Sequence, residues 1–289
     1  MYPASFDYTA PTTIDETLAL LAHYGDEAKL LAGGHSLLPL LKLRFSTPSH
    51  VVDLRRIPGL AGVRRDGNAI VVGAMTTHAT VASSPIINAS LPILSEAASQ
   101  IGDPQVRNRG TIGGSLAHAD PSADLPAVIL ATKAQIVAAS PTGSRTISAD
   151  QFFVGMLTSA LAIGEILTEV RFPVFDGHVG GAYSKHAHPA SRYAVVGVAA
   201  TVELDASNTV RGARVAITGL GYTASVASLT SHALVGTRAD DSAIATAAAL
   251  VTDGIEPRED GQGDASYKTH LAQVHAERAI KQAVARARA

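Results

Sequence analysis

Leu31-Ala32-Gly33-Gly34-His35-Ser36 is the stretch on which the fold of this 289-residue chain turns. Upstream, Lys29 to Ala32 reads as a short strand; downstream, Leu37 to Leu43 resumes as a helix or helical turn. Strand, glycine loop, helix is the arrangement a phosphate-binding loop needs. A residue without a Cβ takes positive φ and lets the main chain come close to a ligand, and successive N–H groups then point into one concavity. A second step, Thr111-Ile112-Gly113-Gly114-Ser115, repeats the glycine pair closed by a hydroxyl residue. Either pair alone also fits a plain turn; together they describe a phosphate cradle without naming its ligand.

Working outward, Thr13 and Glu16 form a capping-box pattern ahead of Ile14, Leu18 and Leu21, so an amphipathic helix is expected, stopped by Gly25. His50 to Leu54 reads as a strand, and Gly62 to Val72 as a hairpin turned by Asp66-Gly67-Asn68. Gly73 to His78 is a further small-residue loop opening a helix through Val81, and Leu91 to Ile101 is helical. Asp103 to Ser115, rich in Gly, Asn and Arg, is expected to be a long irregular segment, and long loops in compact domains are often functional. It continues through Ala117 to Pro126, where Asp120 and Asp124 stand four apart. Either carboxylate suits hydrogen bonds from sugar hydroxyls, or a cap on a helix from Leu125 to Ala131 with Pro126 near its start. Gln135 to Ala139, Ile147 and Glu165 to Phe172 complete a mixed region ending at Pro173.

Phe175 to Gly181 reads as a linker, which divides the chain into residues 1–175, with subdomains of about 1–55 and 56–175, and residues 176–289. Beyond it, Ala182 to Lys185, Ala194 to Leu204 and Val210 to Thr218 are expected to form a three-stranded antiparallel sheet. Helices follow at about Ser225 to Leu234, Asp241 to Asp253 and Ser266 to Ala287. The fold class is α+β throughout.

Composition narrows the function. With 46% hydrophobic residues the chain can build a real core, and 23 basic against 25 acidic residues leave no electrostatic footprint for nucleic acid or an anionic membrane. Zero Cys rules out disulfides and any thiolate-held zinc or iron–sulfur cluster on this chain. Met1 to Tyr8 lacks the pattern of a secretory signal and the longest apolar runs, such as Ala194 to Val202, are too short to span a bilayer, so a cytoplasmic protein without an integral membrane segment is expected.

Other motifs carry less. Gly219-Leu220-Gly221-Tyr222-Thr223-Ala224 fits a dinucleotide fingerprint after a strand, but Asp240 and Asp241, near the required distance, stand at a helix start. His186-Ala187-His188, with His178 nearby, lacks a close carboxylate and reads as a solvated loop, so no metal ligand is assigned. No Ser-His-Asp order, P-loop lysine or H-E-x-x-H pattern is present, and no catalytic side chain is assigned.

Taken in order, Ala32 to Pro39 with Lys42-Leu43-Arg44, Gly110 to Gly114, and Ala119-Asp120-Pro121 to Asp124-Leu125-Pro126-Ala127 resemble the FAD-binding medium subunit of molybdenum hydroxylases, the xanthine dehydrogenase and aerobic carbon monoxide dehydrogenase family. The similarity runs nearly end to end. It implies a two-subdomain FAD-binding domain of the vanillyl-alcohol-oxidase (PCMH) type, then an α+β C-terminal domain. It places Ala32, Gly33, Gly34, His35, Ser36 and Leu37, with Thr111, Ile112, Gly113, Gly114 and Ser115, around the pyrophosphate and adjoining atoms. Asp124 would meet cofactor hydroxyls, Leu167 the adenine end, and Lys185 and Tyr193 the isoalloxazine. The chain departs from the family pattern at His186-Ala187-His188-Pro189 and Arg192, and Ser115 stands where Asn is common. His35 and His118 could each contact flavin or phosphate, or make a structural hydrogen bond.

The implied function is electron relay. The resemblance implies a large subunit that holds the molybdenum cofactor, a small subunit that holds two [2Fe–2S] clusters, and FAD on this chain that passes electrons to an external acceptor, in a dimer of heterotrimers that could meet the membrane peripherally through that acceptor. Ala119-Asp120-Pro121 leans toward the carbon monoxide dehydrogenase-like branch. Aldehyde and N-heterocycle dehydrogenases remain alternatives, as do a stand-alone flavoprotein oxidase and a non-catalytic subunit that has lost its cofactor. Replacing Gly33 or Gly113 with Val is expected to abolish flavin retention by blocking close backbone approach.

Overall fold

A computed structural model describes all residues, 1–289. The chain opens with β1 (Asp7–Thr9), α1 (Ile14–Tyr24), β2 (Ala28–Leu31), α2 (Leu37–Leu43) and β3 (His50–Asp53). Thr13 caps α1 by accepting from the Glu16 amide, while the Glu16 carboxylate reaches back one residue further than a capping box requires, to the Thr12 amide at 2.8 Å. The three strands form a parallel sheet in the order β1-β3-β2. Strand β1 is absent from the sequence reading because three largely exposed residues carry no periodicity; its Tyr8 hydroxyl donates to Asp53 at 2.7 Å.

Next come β4 (Val63–Asp66), β5 (Ala69–Gly73), helices α3 (His78–Ser83), α4 (Pro85–Ser90), α5 (Pro92–Ser99), α6 (Pro104–Arg107), α7 (Ile112–His118) and α8 (Leu125–Ala131), then β6 (Gln135–Ser140), β7 (Gly143–Ser148), the β8–β9 hairpin (Phe153–Gly155, Thr158–Ser159) and β10 (Ile166–Pro173). The main strands pair antiparallel in the order β4-β5-β10-β6-β7. The segment expected to be irregular, 103–115, instead holds α6 and the start of α7. Asp103 caps α6 with Pro104 in its first turn, and Thr111 caps α7 through the Gly114 amide.

The last part has β11 (Val179–Ala187), β12 (Ala194–Leu204), β13 (Val210–Thr218), β14 (Ser225–Val226), α9 (Ser228–Leu234), α10 (Asp241–Ala249) and α11 (Ala265–Arg288). Ser225, expected to begin a helix, instead adds a short fourth strand to the sheet, in the order β11-β12-β13-β14. The sheet lies between α8 and α11, which explains why β12 reads as an almost unbroken apolar run. Ala199 joins the core toward α8 while Val196, Val198 and Val202 join the core toward α11. Gly180 and Gly181, expected in a linker, belong to β11. A Cβ on Gly180 would overlap the Ala283 carbonyl and lie 2.5 Å from the Ala287 amide nitrogen, so glycine is what allows α11 to rest on the strand.

Candidate cofactor site

A cavity of about 580 Å³ is enclosed by the turn after β2, the first turn of α7, the segment before α8, the start of β10, and the loop joining β11 to β12. All the residues assigned from the resemblance line it except Ile112 and Lys185.

The first wall is the turn at residues 32–37. Parallel pairing of β2 with β3 delivers the chain to Ala32. Gly33 then lies so close to the second glycine stretch that a Cβ would stand 2.7 Å from Gly110 Cα and overlap the Arg109 carbonyl. Gly34 takes φ +79°, the left-handed region, and its carbonyl accepts from the Leu38 amide as α2 begins. None of the amides of residues 33–37 donates to a backbone carbonyl. Five consecutive donors lining a cavity need an acceptor that the chain does not supply, and an anionic group with several oxygens meets that need.

The second wall is built differently. The Ile112, Gly113 and Ser115 amides donate to Thr76, Ala74 and Thr111 carbonyls at 3.0, 2.8 and 3.0 Å, and the Gly114 amide to the Thr111 hydroxyl at 3.1 Å. Thr111 to Ser115 is thus a capped helix start with its amides already engaged, and not the open loop expected. Gly113 is needed for packing, since a Cβ there would be 2.6 Å from the Ala74 Cβ. Ile112 is fully buried in the main core, which takes it out of the cavity lining.

Asp124 is buried, and its side chain makes no cap to α8. Its Oδ1 accepts from the Tyr183 hydroxyl at 2.6 Å and pairs with the Lys185 ammonium at 2.8 Å. Burial pushes the Asp124 carboxyl up, against the pull of Lys185 and of its hydrogen bonds with Lys185 and Tyr183. Burial and the adjacent Asp124 charge hold the Tyr183 phenol well above its ordinary value, so it remains a donor. Tyr193 lines the cavity half-exposed, its phenol also raised by burial and by the Asp120 carboxylate. Asp120 lines the cavity while its carboxylate accepts from the Ser122 amide, which closes a local turn and makes no helix cap. Leu167 lies with Leu54 and Ile166 in an apolar portion of the lining.

Sequence reasoning missed His78, Val106, Leu157 and Leu161, which also line the cavity. His78 stands in the small-residue loop after β5, a signal that could have found it; its ring packs where Gly110 has no Cβ. Burial, with His35 and Arg107 nearby, pushes its imidazole down to about 4, so it is neutral near pH 7. Leu157 and Leu161 arrive from the β8–β9 hairpin, which carries no spacing signal. Gly219 to Ala224 runs from an antiparallel strand into β14 and not into a helix, which removes the dinucleotide fingerprint; Gly219 at φ +82° lies against the Ala194 and Val195 carbonyls. His186 faces Tyr267 and His275 across β11 and α11.

The residues fit a large dinucleotide cofactor: an anion-binding run of amides in the first wall, apolar lining beside it, and polar groups at Asp120, Asp124 and Tyr193. A family model for the FAD binding domain in molybdopterin dehydrogenase matches residues 4–175, and one for the CO dehydrogenase flavoprotein C-terminal domain matches residues 181–283. The chain is 44% identical to the carbon monoxide dehydrogenase medium chain of Hydrogenophaga pseudoflava, covering 99% of both chains. It is 41% identical to subunit alpha of the 6-hydroxypseudooxynicotine dehydrogenase complex of Paenarthrobacter nicotinovorans, covering 100% of this chain and 97% of the other. Its fold superposes on carbon monoxide dehydrogenase from Hydrogenophaga pseudoflava with a TM-score of 0.96 at 45% identity, covering 99% of each chain. For quinoline 2-oxidoreductase from Pseudomonas putida 86 the score is 0.93 at 35% identity, again covering 99% of each. The chain belongs to the family of FAD-binding flavoprotein subunits of molybdopterin dehydrogenases.

Proposed function

We propose that this chain binds one FAD in the cavity, with the pyrophosphate on the amides of residues 33–37, and serves as the medium subunit of a carbon monoxide dehydrogenase-like molybdenum hydroxylase. The observation that carries the site assignment is the run of amides without backbone acceptors beside an apolar-lined cavity. Ser36 adds a hydroxyl to the first wall and Ser115 one to the second, while Thr111 keeps its hydroxyl on the Gly114 amide; Leu167 is assigned to the adenine end, and Tyr193 to the isoalloxazine. Bound FAD would supply the electron-transfer chemistry, taking electrons from iron–sulfur clusters on a small subunit and passing them to an external acceptor. This chain's own work is to hold the cofactor rigidly, to shield its middle portion from water, and to present its ring beside Tyr193. The molybdenum cofactor belongs on a large subunit, and the complex is a dimer of heterotrimers.

A second reading changes only the substrate. The 6-hydroxypseudooxynicotine dehydrogenase subunit matches across the whole chain almost as well as the carbon monoxide dehydrogenase subunit does, and a glyceraldehyde dehydrogenase medium chain and quinoline 2-oxidoreductase also match, so an N-heterocycle or aldehyde dehydrogenase is the alternative. Isolation from the native host tests the reading. A releasable flavin band with iron–sulfur absorbance and one larger and one smaller companion chain supports it. Flavin on a solitary chain with its own turnover points to a stand-alone oxidase, and a chain without flavin overturns the site.

A further inference from the structure

We propose that Thr218 is a positioning residue: it grips the backbone of residues 121–123 and thereby makes the C-terminal sheet the support of the cavity wall that carries Asp120 and Asp124. The inference rests on the proposed FAD binding and deepens it.

That wall begins awkwardly. Ala119 takes φ +52°, a left-handed conformation unfavourable for a residue with a Cβ. The segment then turns on itself, the Ser122 amide donating to the Asp120 carboxylate at 2.8 Å and the Ala123 amide to the Asp120 carbonyl at 3.0 Å. Those bonds close the turn without fastening it to anything else. Asp120, Ala123 and Asp124 all line the cavity, so where the turn sits decides where the two carboxylates stand.

Its fastenings come from the ends of β12 and β13. The Gly219 amide donates to the Pro121 carbonyl at 2.7 Å, and the Ala194 amide to the Ser122 carbonyl at 3.1 Å. The Thr218 hydroxyl stands 2.7 Å from the Pro121 carbonyl and 2.8 Å from the Ala123 carbonyl. Three successive carbonyls are thus taken by one end of the sheet. Thr218 matters most at Ala123, whose carbonyl accepts from no backbone amide. The hydroxyl has one proton to share between the two oxygens, and Thr218 is fully buried, so water does not stand in for it. Thr218 is fixed in turn: it pairs with Gly197 across β12 and β13, and its methyl packs where Gly197 has no Cβ. The same missing side chain leaves room for the Tyr183 hydroxyl, which donates to Asp124 Oδ1 at 2.6 Å. One glycine therefore accommodates two grips on the wall, on its carbonyls through Thr218 and on its carboxylate through Tyr183. Thr218 does not line the cavity, so its effect on a bound cofactor passes through the turn.

The test compares the full-length wild-type chain with Thr218→Val, Thr218→Ser and Thr201→Val. It measures the thermal stability of the flavin-free protein, the rate of FAD release and the visible circular dichroism of the bound flavin. Thr201 is the control: on the same sheet, its hydroxyl donates to the Ala131 carbonyl at the far end of α8 at 2.9 Å, and it does not line the cavity. Thr218→Val is expected to speed release roughly tenfold and to change the flavin band, Thr218→Ser to behave as the wild type does, and Thr201→Val to lose stability without faster release. Wild-type release from Thr218→Val, failure of Thr218→Ser to restore it, or equal acceleration in Thr201→Val overturns the proposal. Because an unpaired buried carbonyl endangers folding, the wild-type chain supplies a second measurement. FAD is expected to slow hydrogen exchange of the Gly219 amide, which lies outside the cavity lining, by roughly threefold or more. Unchanged exchange there overturns the proposal as well. A wild-type chain that takes up no FAD defeats the cofactor reading itself, and this inference falls with it.

Discussion

In residues 33–37 the amides find no backbone acceptor and Gly34 lies at φ +79°, whereas in residues 112–115 every amide is engaged inside the protein and neither glycine has positive φ. The sequences look alike, a glycine pair closed by serine. They differ because the first pair leaves a strand and the second leaves a helix cap. After β2 the chain must turn sharply into α2, which leaves donors facing the cavity; after Thr111 the chain is already helical, and the threonine hydroxyl takes the donor that a ligand would otherwise take. Glycine in the first stretch shapes a turn that leaves its amides open to the cavity, while Gly113 in the second lets α7 rest on Ala74. Gly33 links the two, since its missing side chain lets the first loop touch Arg109 and Gly110.

The largest effect that can break this comparison is Gly113→Val. Steric overlap with Ala74 should destabilise the chain by about 3 kcal/mol even without cofactor, which thermal unfolding of the flavin-free protein would show. Loss of flavin without loss of stability would return Gly113 to the binding role that the resemblance implies for it.

Next in size is a pH effect centred on His78, which backs the second stretch through Gly110. Its folded value of about 4 lies below the 6.5 of an unfolded imidazole. Above pH 6.5 it contributes nothing. As pH falls toward 4 the unfolded chain binds a proton that the folded chain refuses, so up to about 3 kcal/mol of stability is lost, and the loss levels off below that. His275, also near 4, acts in the same direction. Urea unfolding at a series of pH values should show the fall, and His78→Gln should flatten it; identical curves for the variant and the wild type would count against a buried neutral imidazole.

Gly34→Ala sharpens the other side. A Cβ at that left-handed position costs about 1 kcal/mol and meets the side-chain ends of Leu38 at 2.9 Å and Leu31 at 3.3 Å, so the flavin-free fold should survive while FAD affinity drops more than stability does. Calorimetric titration decides it. The smallest effect expected is that of Thr111→Val, which removes the α7 cap and costs about 1 kcal/mol of stability with FAD binding nearly intact.

Much of the scaffold was legible in sequence where periodicity and caps agree. Thr13 before Ile14, the turn at Asp66-Gly67-Asn68, and the apolar run of β12 each act locally. The illegible parts depend on partners far along the chain. The three-residue β1 exists only because β3 lies beside it, and β14 only because β13 offers an edge. The cavity lining was recovered at both glycine stretches through resemblance, but Ile112 points into the core, and Lys185 bonds to Gln100, Asp124 and Arg192, groups no spacing rule brings together. Glycine marks a close approach without saying to what, and only the fold distinguishes a ligand from Ala74.

The most direct measurement is a calorimetric titration of the flavin-stripped chain with FAD and, separately, with riboflavin in the presence of adenosine, a pair that lacks only the pyrophosphate. If the amides of residues 33–37 hold that group, FAD binds at one per chain and riboflavin binds at least roughly 100-fold more weakly, because two or more charge-assisted hydrogen bonds are lost. Equal affinity for the two would contradict the account at its centre, as would no binding of FAD.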